Sequence, residues 1–198
     1  MSIKAVIFDL DGMIVTGEGF RERRAREYGI SDEVSNPFFR GTFQECLIGQ
    51  ADLKEELAPI LPSWGWNEGV DAFLEAWFDD KKTPIDERFY GVIMSLKDKG
   101  IPSYLATNNE KYRTRTMLEV RGLSTWFDDV FSSAKVGAKK PERAFYNHVV
   151  QTIGVKAGEI LYFDDDAGHI DEARHYGLQA DLYEGFEGFE RILSTHFT

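Results

Sequence analysis

Val6-Ile7-Phe8-Asp9-Leu10-Asp11-Gly12 is the stretch that decides how this chain folds. An unbroken apolar run from Ala5 to Phe8 ends in two carboxylates and a glycine. Such a run is what a parallel strand buried on both faces requires, and it puts Asp9 at the strand's carboxyl end. Gly12 allows the sharp turn that must follow. Three further segments bring polar atoms to the same kind of place: Tyr104-Leu105-Ala106-Thr107-Asn108-Asn109, Lys140-Pro141, and Leu161-Tyr162-Phe163-Asp164-Asp165-Asp166. One carboxylate pair would mean little; four such pieces in this order point to a phosphate-transfer site.

Working outward, further strand-like runs lie at 103–106, 130–131, 160–163 and 180–182. Helical patterns separate them. Residues 86–99 place Phe89, Val92, Ile93 and Leu96 on one face, with Gly100 as a stop. Residues 142–153 begin after Pro141 and end at Gly154, and residues 110–121 end at Gly122. Alternation of strand and helix predicts an α/β fold, a parallel sheet covered by helices on both sides. Residues 16–83 break that rhythm. Their helical pieces at 20–28, 52–60 and 68–78 read as a helical insert after the first strand, so that 1–15 and 84–198 form the core and 16–83 a cap. Ligands of an open parallel sheet bind beyond the carboxyl ends of its strands, and an insert leaving there would lie above them as a lid.

Composition narrows the function. The 198 residues are 42% hydrophobic and 14% aromatic, which argues against disorder. A formal net charge of −11 argues against a nucleic-acid partner. The single cysteine, Cys46, permits no internal disulfide and no cysteine metal cluster. No apolar run approaches the roughly 18 residues of a membrane span. The N-terminus enters a strand without a cleavable signal, and the expectation is a soluble cytoplasmic protein. Oligomeric state is left open.

The chemistry follows from the residue types. Asp9 is a legitimate nucleophile toward a phosphoryl group, giving an aspartyl-phosphate. Asp11, two residues on, can protonate a leaving oxygen and then deprotonate water, a role that calls for a raised pKa. Thr107 offers a hydroxyl, and with Asn108 it opens a helix whose first amides suit an anion. Lys140, held extended by Pro141, is expected at the mouth of the site, against phosphate oxygen or a carboxylate. Asp164 and Asp165 add negative charge. At an effective dielectric of about 20, two unit charges about 4 Å apart interact by roughly 4 kcal/mol. Several carboxylates would therefore repel a phosphate by more than Lys140 can offset. A divalent cation resolves this, and oxygen ligands without a His or Cys cluster favour Mg²⁺.

In these four segments the chain resembles the haloacid dehalogenase superfamily, in the branch with a small helical cap after the first strand. Asp9 to Gly12 match its Asp-x-Asp-Gly motif, Thr107 its second, Lys140 its third and Asp164-Asp165 its acidic fourth. The resemblance implies a Rossmann-like three-layer core. It implies Asp9 as nucleophile, Asp11 as acid/base, and Thr107, Asn108 and Lys140 around the substrate phosphate. Mg²⁺ would be held by Asp9, the backbone oxygen of Asp11 and Asp165, with Asp164 a ligand or just behind. Lys139-Lys140-Pro141-Glu142 and Phe163-Asp164-Asp165 are similar to small sugar-phosphate phosphatases of that branch. This chain departs from it at Met13, Asp166 and His169.

Each residue also has a plainer reading. Thr107 alone could be a helix cap. Arg21, Arg23, Arg24 and Arg26 could reach a phosphate or form an exposed helix face. Trp64 and Trp66 could stack on a sugar or fill the cap core. Arg40 and Cys46 have no assigned role. The leading expectation is a Mg²⁺-dependent phosphatase acting on a small phosphorylated metabolite. The alternatives are a phosphosugar mutase using the same intermediate, a hydrolytic dehalogenase, for which Asp11 and the fourth-motif charges are liabilities, and a binding protein on a retired phosphatase scaffold.

Overall fold

Residues 2–197 are described by a computed structural model. The apolar run becomes strand β1 (Ala5–Phe8), every residue of which is buried. The other strands are β2 (Ser103–Thr107), β3 (Asp129–Ser132), β4 (Ile160–Asp164) and β5 (Gln179–Leu182). They form one sheet in the order β3-β2-β1-β4-β5, with all pairs parallel. The α/β fold read from the alternation is the observed one. The chain builds leftward from β1 through β2 to β3, then returns to the other side of β1. The reversal leaves a crevice between the carboxyl ends of β1 and β4, the place where open sheets of this type bind ligands.

The helices follow in chain order: α1 (Phe20–Tyr28), α2 (Asp32–Arg40), α3 (Phe43–Leu47), α4 (Leu53–Leu57), α5 (Gly69–Trp77), α6 (Arg88–Asp98), α7 (Lys111–Arg115), α8 (Ser133–Val136), α9 (Arg143–Ile153), α10 (Ala167–Tyr176) and α11 (Phe186–His196). Because strand side chains alternate, β1 feeds two cores. Val6 and Phe8 pack with Phe89 and Ile93 of α6 and with Phe189 of α11. Ala5 and Ile7 pack with Phe145 and Val149 of α9 and with Ile170 of α10. This gives helix, sheet and helix layers.

Helices α1 to α5 share a third core, which contains Phe20, Phe38, Trp64, Phe73 and Phe78. Two connections join them to the sheet and run side by side. Thr16 N–H donates to Pro84 O, Asp86 N–H to Ile14 O, and Val15 bridges Ile85 antiparallel. Gly17 has φ +102°, and a Cβ there would lie 2.2 Å from Lys82 O, so this crossing needs glycine.

Three local expectations are corrected. Helix α2 was not anticipated, because Pro37 inside it removes a donor and Ser35 and Asn36 are weak helix formers. The helix expected over 110–121 is α-helical only to Arg115 and then widens to a π turn over Thr116–Val120. The basic run is not one exposed face: Arg23 and Arg24 are buried. Among the described residues no helix is long and apolar enough to cross a membrane.

Candidate active site

The β1/β4 crevice gathers side chains from distant parts of the chain. Asp9 follows β1 and Asp164 closes β4. Lys140 does not sit at the mouth as expected: it reaches in from the connection between α8 and α9 and is almost wholly buried. Its ammonium donates to Asp9 Oδ1 at 2.6 Å, Asp164 Oδ2 at 2.7 Å and the Ala106 carbonyl at 3.0 Å. Those acceptors use its three donors, so no N–H remains for a phosphate in this arrangement. Lys140 acts here as the counter-ion that holds two carboxylates in place. Burial opposes its charge, but Asp9 and Asp164 outweigh that and raise its pKa.

Asp164 is saturated. Besides Lys140 it accepts from the Asp166 N–H at 2.9 Å and from the Tyr162 hydroxyl, and both its oxygens lie 3.1 Å from His169 Nδ1. Burial opposes ionisation, yet His169, Lys140 and Tyr162 hold the carboxyl well below the usual range. These partners fix Asp164 in place beside Lys140. His169, the departure noted in the sequence, is seated against it.

Asp9 and Asp165 differ. Asp9 has one oxygen on Lys140 and, among the described residues, takes no other side-chain donor. Burial pushes its carboxyl up to about 7, with Lys140 opposing and Asp164 adding to the rise. Asp165 is exposed, and its pKa is raised by burial of its inner edge and by the charge of Asp164. Its carboxylate lies across the backbone of Gly12, where a Cβ would come within 1.9 Å of Oδ2. Gly12, at φ +86°, is thus required both by its turn and by Asp165. Carboxylate oxygens of Asp9, Asp164 and Asp165 all lie within 4.8 Å of one another. Three carboxylates against one ammonium leave two uncompensated negative charges, which a divalent cation would cancel. The all-oxygen donor set suits a hard ion.

Asp11 departs from expectation. Its Oδ1 accepts from Arg113 Nη2 at 2.5 Å and its Oδ2 from Asn109 Nδ2 at 2.7 Å. Burial would raise its pKa, but Arg113 and Asn109 outweigh burial and lower it. The raised value thus falls on Asp9 and not on Asp11. Asn109 also donates to Thr107 Oγ1 at 2.6 Å, leaving the Thr107 hydroxyl hydrogen free. The Asn108 amide is clasped to Lys140, donating to its carbonyl at 2.8 Å and accepting from its N–H at 2.9 Å. Of Asn108, only the backbone amide is left for an anion.

In the sequence Asn109 only closes the second polar segment, with no role of its own, and Arg113 is not picked out. Their spacing of four, spanning the Glu110 cap at the start of α7, was the available signal. Trp64 lies in the core of the helical segment, and Trp66 donates to Gly69 O at 2.9 Å. Neither lines the cavity above Asp11, whereas Trp77 does. Arg40 is exposed on a separate cavity.

Comparisons with known proteins bear on the family and the fold. The family model of haloacid dehalogenase-like hydrolases matches residues 3–177. The chain is 27% identical over 201 residues to Phosphatase MT3486 of Mycobacterium tuberculosis, covering 93% of this chain and 88% of that one. It is 24% identical over 228 residues to Enolase-phosphatase E1 of Aquifex aeolicus, covering 97% of each. Its fold is similar to a HAD family enzyme of Bacteroides thetaiotaomicron solved with magnesium and inorganic phosphate. That likeness has a TM-score of 0.82 at 17% identity, over 96% of this chain and 99% of that one. With residues 3–177 of its 198 matched, this chain belongs to the haloacid dehalogenase-like hydrolase family.

Proposed function

We infer that the protein is a magnesium-dependent phosphatase of small phosphate monoesters that works through a phosphorylated Asp9. The observation that carries this reading is the buried Asp9–Lys140–Asp164 triad with Asp165 beside it. The named relatives, a phosphatase and an enolase-phosphatase, support it, as does the magnesium and phosphate bound by the structural neighbour. Asp9, Asp165 and the backbone oxygen of Asp11 are the groups that would hold the ion, and when bound it would neutralise charge developing on the phosphoryl oxygens.

The chain's own residues do the rest. The Asp9 oxygen not held by Lys140 forms a bond to phosphorus as the ester P–O bond breaks. Lys140 keeps the other oxygen fixed and so aims the carboxylate. Asp11 gives a proton to the departing alcohol oxygen. It then takes one from the water that attacks phosphorus, releasing inorganic phosphate and regenerating Asp9. The pair with Arg113 favours ionised Asp11, the form the second step needs. Proton donation in the first step requires that pair to break.

Phosphate release from a panel of small esters with Mg²⁺ is the test, with Asp9→Asn as blank. Turnover by the native protein and none by the variant is expected. Undiminished turnover by Asp9→Asn would remove Asp9 as nucleophile. Isomerisation of a sugar phosphate without release of inorganic phosphate would replace hydrolysis by a mutase reaction.

A further inference from the structure

The cavity of about 530 Å³ above Asp11 has a floor and a roof of opposite character. Asp11, Asn108, Asn109 and Arg113 line the floor. Phe20, Phe43, Leu47 and Trp77 line the roof. The roof is one piece: Trp77 stacks on Phe20 with centroids 5.3 Å apart and lies 5.4 Å from Phe43. Phe43, Leu47 and Trp77 are only partly buried, so apolar surface is left for an occupant to cover.

Most side-chain oxygens and amides around this space already have a partner. Thr83 Oγ1 donates to Asp79 O at 3.0 Å and Thr16 Oγ1 to Pro84 O at 3.5 Å. The Asn108 side-chain amide is closed on Lys140 and Asn109 is spent on Asp11 and Thr107, while Arg113 commits one of its five N–H donors to Asp11. A polyhydroxylated group here would find partners on the floor alone and would lay its other hydroxyls on an apolar roof that returns them no hydrogen bond in exchange for water. An apolar group gains by covering the roof and by aromatic contact. The basic residues do not alter this. Arg21, Arg24 and Arg40 line a separate cavity of about 340 Å³ that shares Phe20 and Trp77 with the first, and Arg21 and Arg24 are bonded to Asp32.

We propose that the substrate is the monophosphate of an apolar, ring-sized alcohol, in place of the sugar phosphate that the resemblance implied, and that Phe43, Leu47 and Trp77 select it. The proposal rests on the phosphatase reading of the site below. The cavity is within the size range of ordinary small-molecule sites and is large enough for a ring beside a phosphate.

The test uses esters of primary alcohols, so that the leaving group is chemically the same. Rates on 2-phenylethyl phosphate and glucose 6-phosphate are compared with Mg²⁺ present. Binding of 3-phenylpropylphosphonate and of glucose 6-phosphate to Asp9→Asn is measured by calorimetry. The aryl-bearing compound should be preferred in both assays by about tenfold or more, equivalent to about 1.4 kcal/mol. Trp77→Phe should keep that ratio, and Leu47→Asn and Trp77→Ala should bring it toward unity. Comparable or better use of glucose 6-phosphate would leave the phosphatase reading standing and overturn the proposed selection. Preferential phosphonate binding without release of phosphate from either ester would uphold the selection and overturn the hydrolysis.

Discussion

Two buried cations, one against the strand ends of the sheet and one in the helical segment, show how differently the two regions are built. Lys140 and Arg23 are both almost inaccessible to water. Lys140 is held by two buried carboxylates, and the charge around it stays negative. Arg23 is held chiefly by carbonyls, those of Ala76 at 3.3 Å and Trp77 at 3.1 Å, with Glu27 at 3.6 Å. The acceptor carbonyls end α5, where a cation complements the helix dipole. One region concentrates charge for chemistry at strand ends. The other uses a charge to join α1 to α5 beneath an aromatic cluster.

The comparison breaks most visibly at Lys140. Lys140→Met leaves Asp9 and Asp164 buried without a counter-ion and should cost about 3–5 kcal/mol. Urea unfolding without magnesium reads this, and a loss under about 1 kcal/mol would mean the triad is not held as described. Arg23→Met strands two carbonyls, while Glu27 keeps Arg26 and Lys82. It should cost about 1–3 kcal/mol, less than Lys140→Met, in the same assay. Equal losses would erase the contrast between the regions.

Gly12→Ala sharpens it further. The left-handed backbone there should cost about 1–2 kcal/mol with a Cβ. Displacement of Asp165 should weaken Mg²⁺ binding by about 10- to 100-fold in a calorimetric titration. Unchanged Mg²⁺ affinity would take Asp165 out of the ligand set.

The smallest effect concerns the tie between the regions. Asp52 caps α4, accepting from Lys54 N–H at 2.8 Å, and it also accepts from Lys111 at 2.5 Å and from Tyr112 OH at 2.9 Å. Burial opposes ionisation, but these donors hold its carboxyl down at about 2. The depressed value lies below the unfolded value of about 3.9, so the contribution is present above the latter and lost as pH falls through the former. Asp52→Asn, which keeps the cap but loses the charge pair with Lys111, should cost up to about 1 kcal/mol at neutral pH. The gap from the native protein should close between about pH 4 and pH 2. A gap constant to low pH would show that charge plays no part.

The sheet was legible because its strands are continuous apolar runs, and β1 begins and ends where Ala5–Phe8 reads. The carboxylates were legible because each follows such a run directly. The depth of Lys140 was not, because its acceptors stand 131, 34 and 24 residues away in sequence. The ionisation of Asp11 was missed for the same reason, since Arg113 lies 102 residues off. In the helical segment, charge misled. Arg23 and Arg24 stand three and four residues after Phe20, the spacing of one helix face, yet four arginines in six residues read as solvent-exposed. The roof was hidden likewise: Trp64 and Trp66 stood out as a pair, while Trp77, the tryptophan that lines the cavity, sits inconspicuously at the end of α5.

Acid quenching within the first turnover of acetyl phosphate and Mg²⁺, followed by peptide mapping, addresses the nucleophile itself. A phosphoryl group on the peptide carrying Asp9, absent in Asp9→Asn, is the predicted result. A phosphoryl group on another residue, or steady phosphate release with no phosphorylated peptide at any quench time, would contradict it.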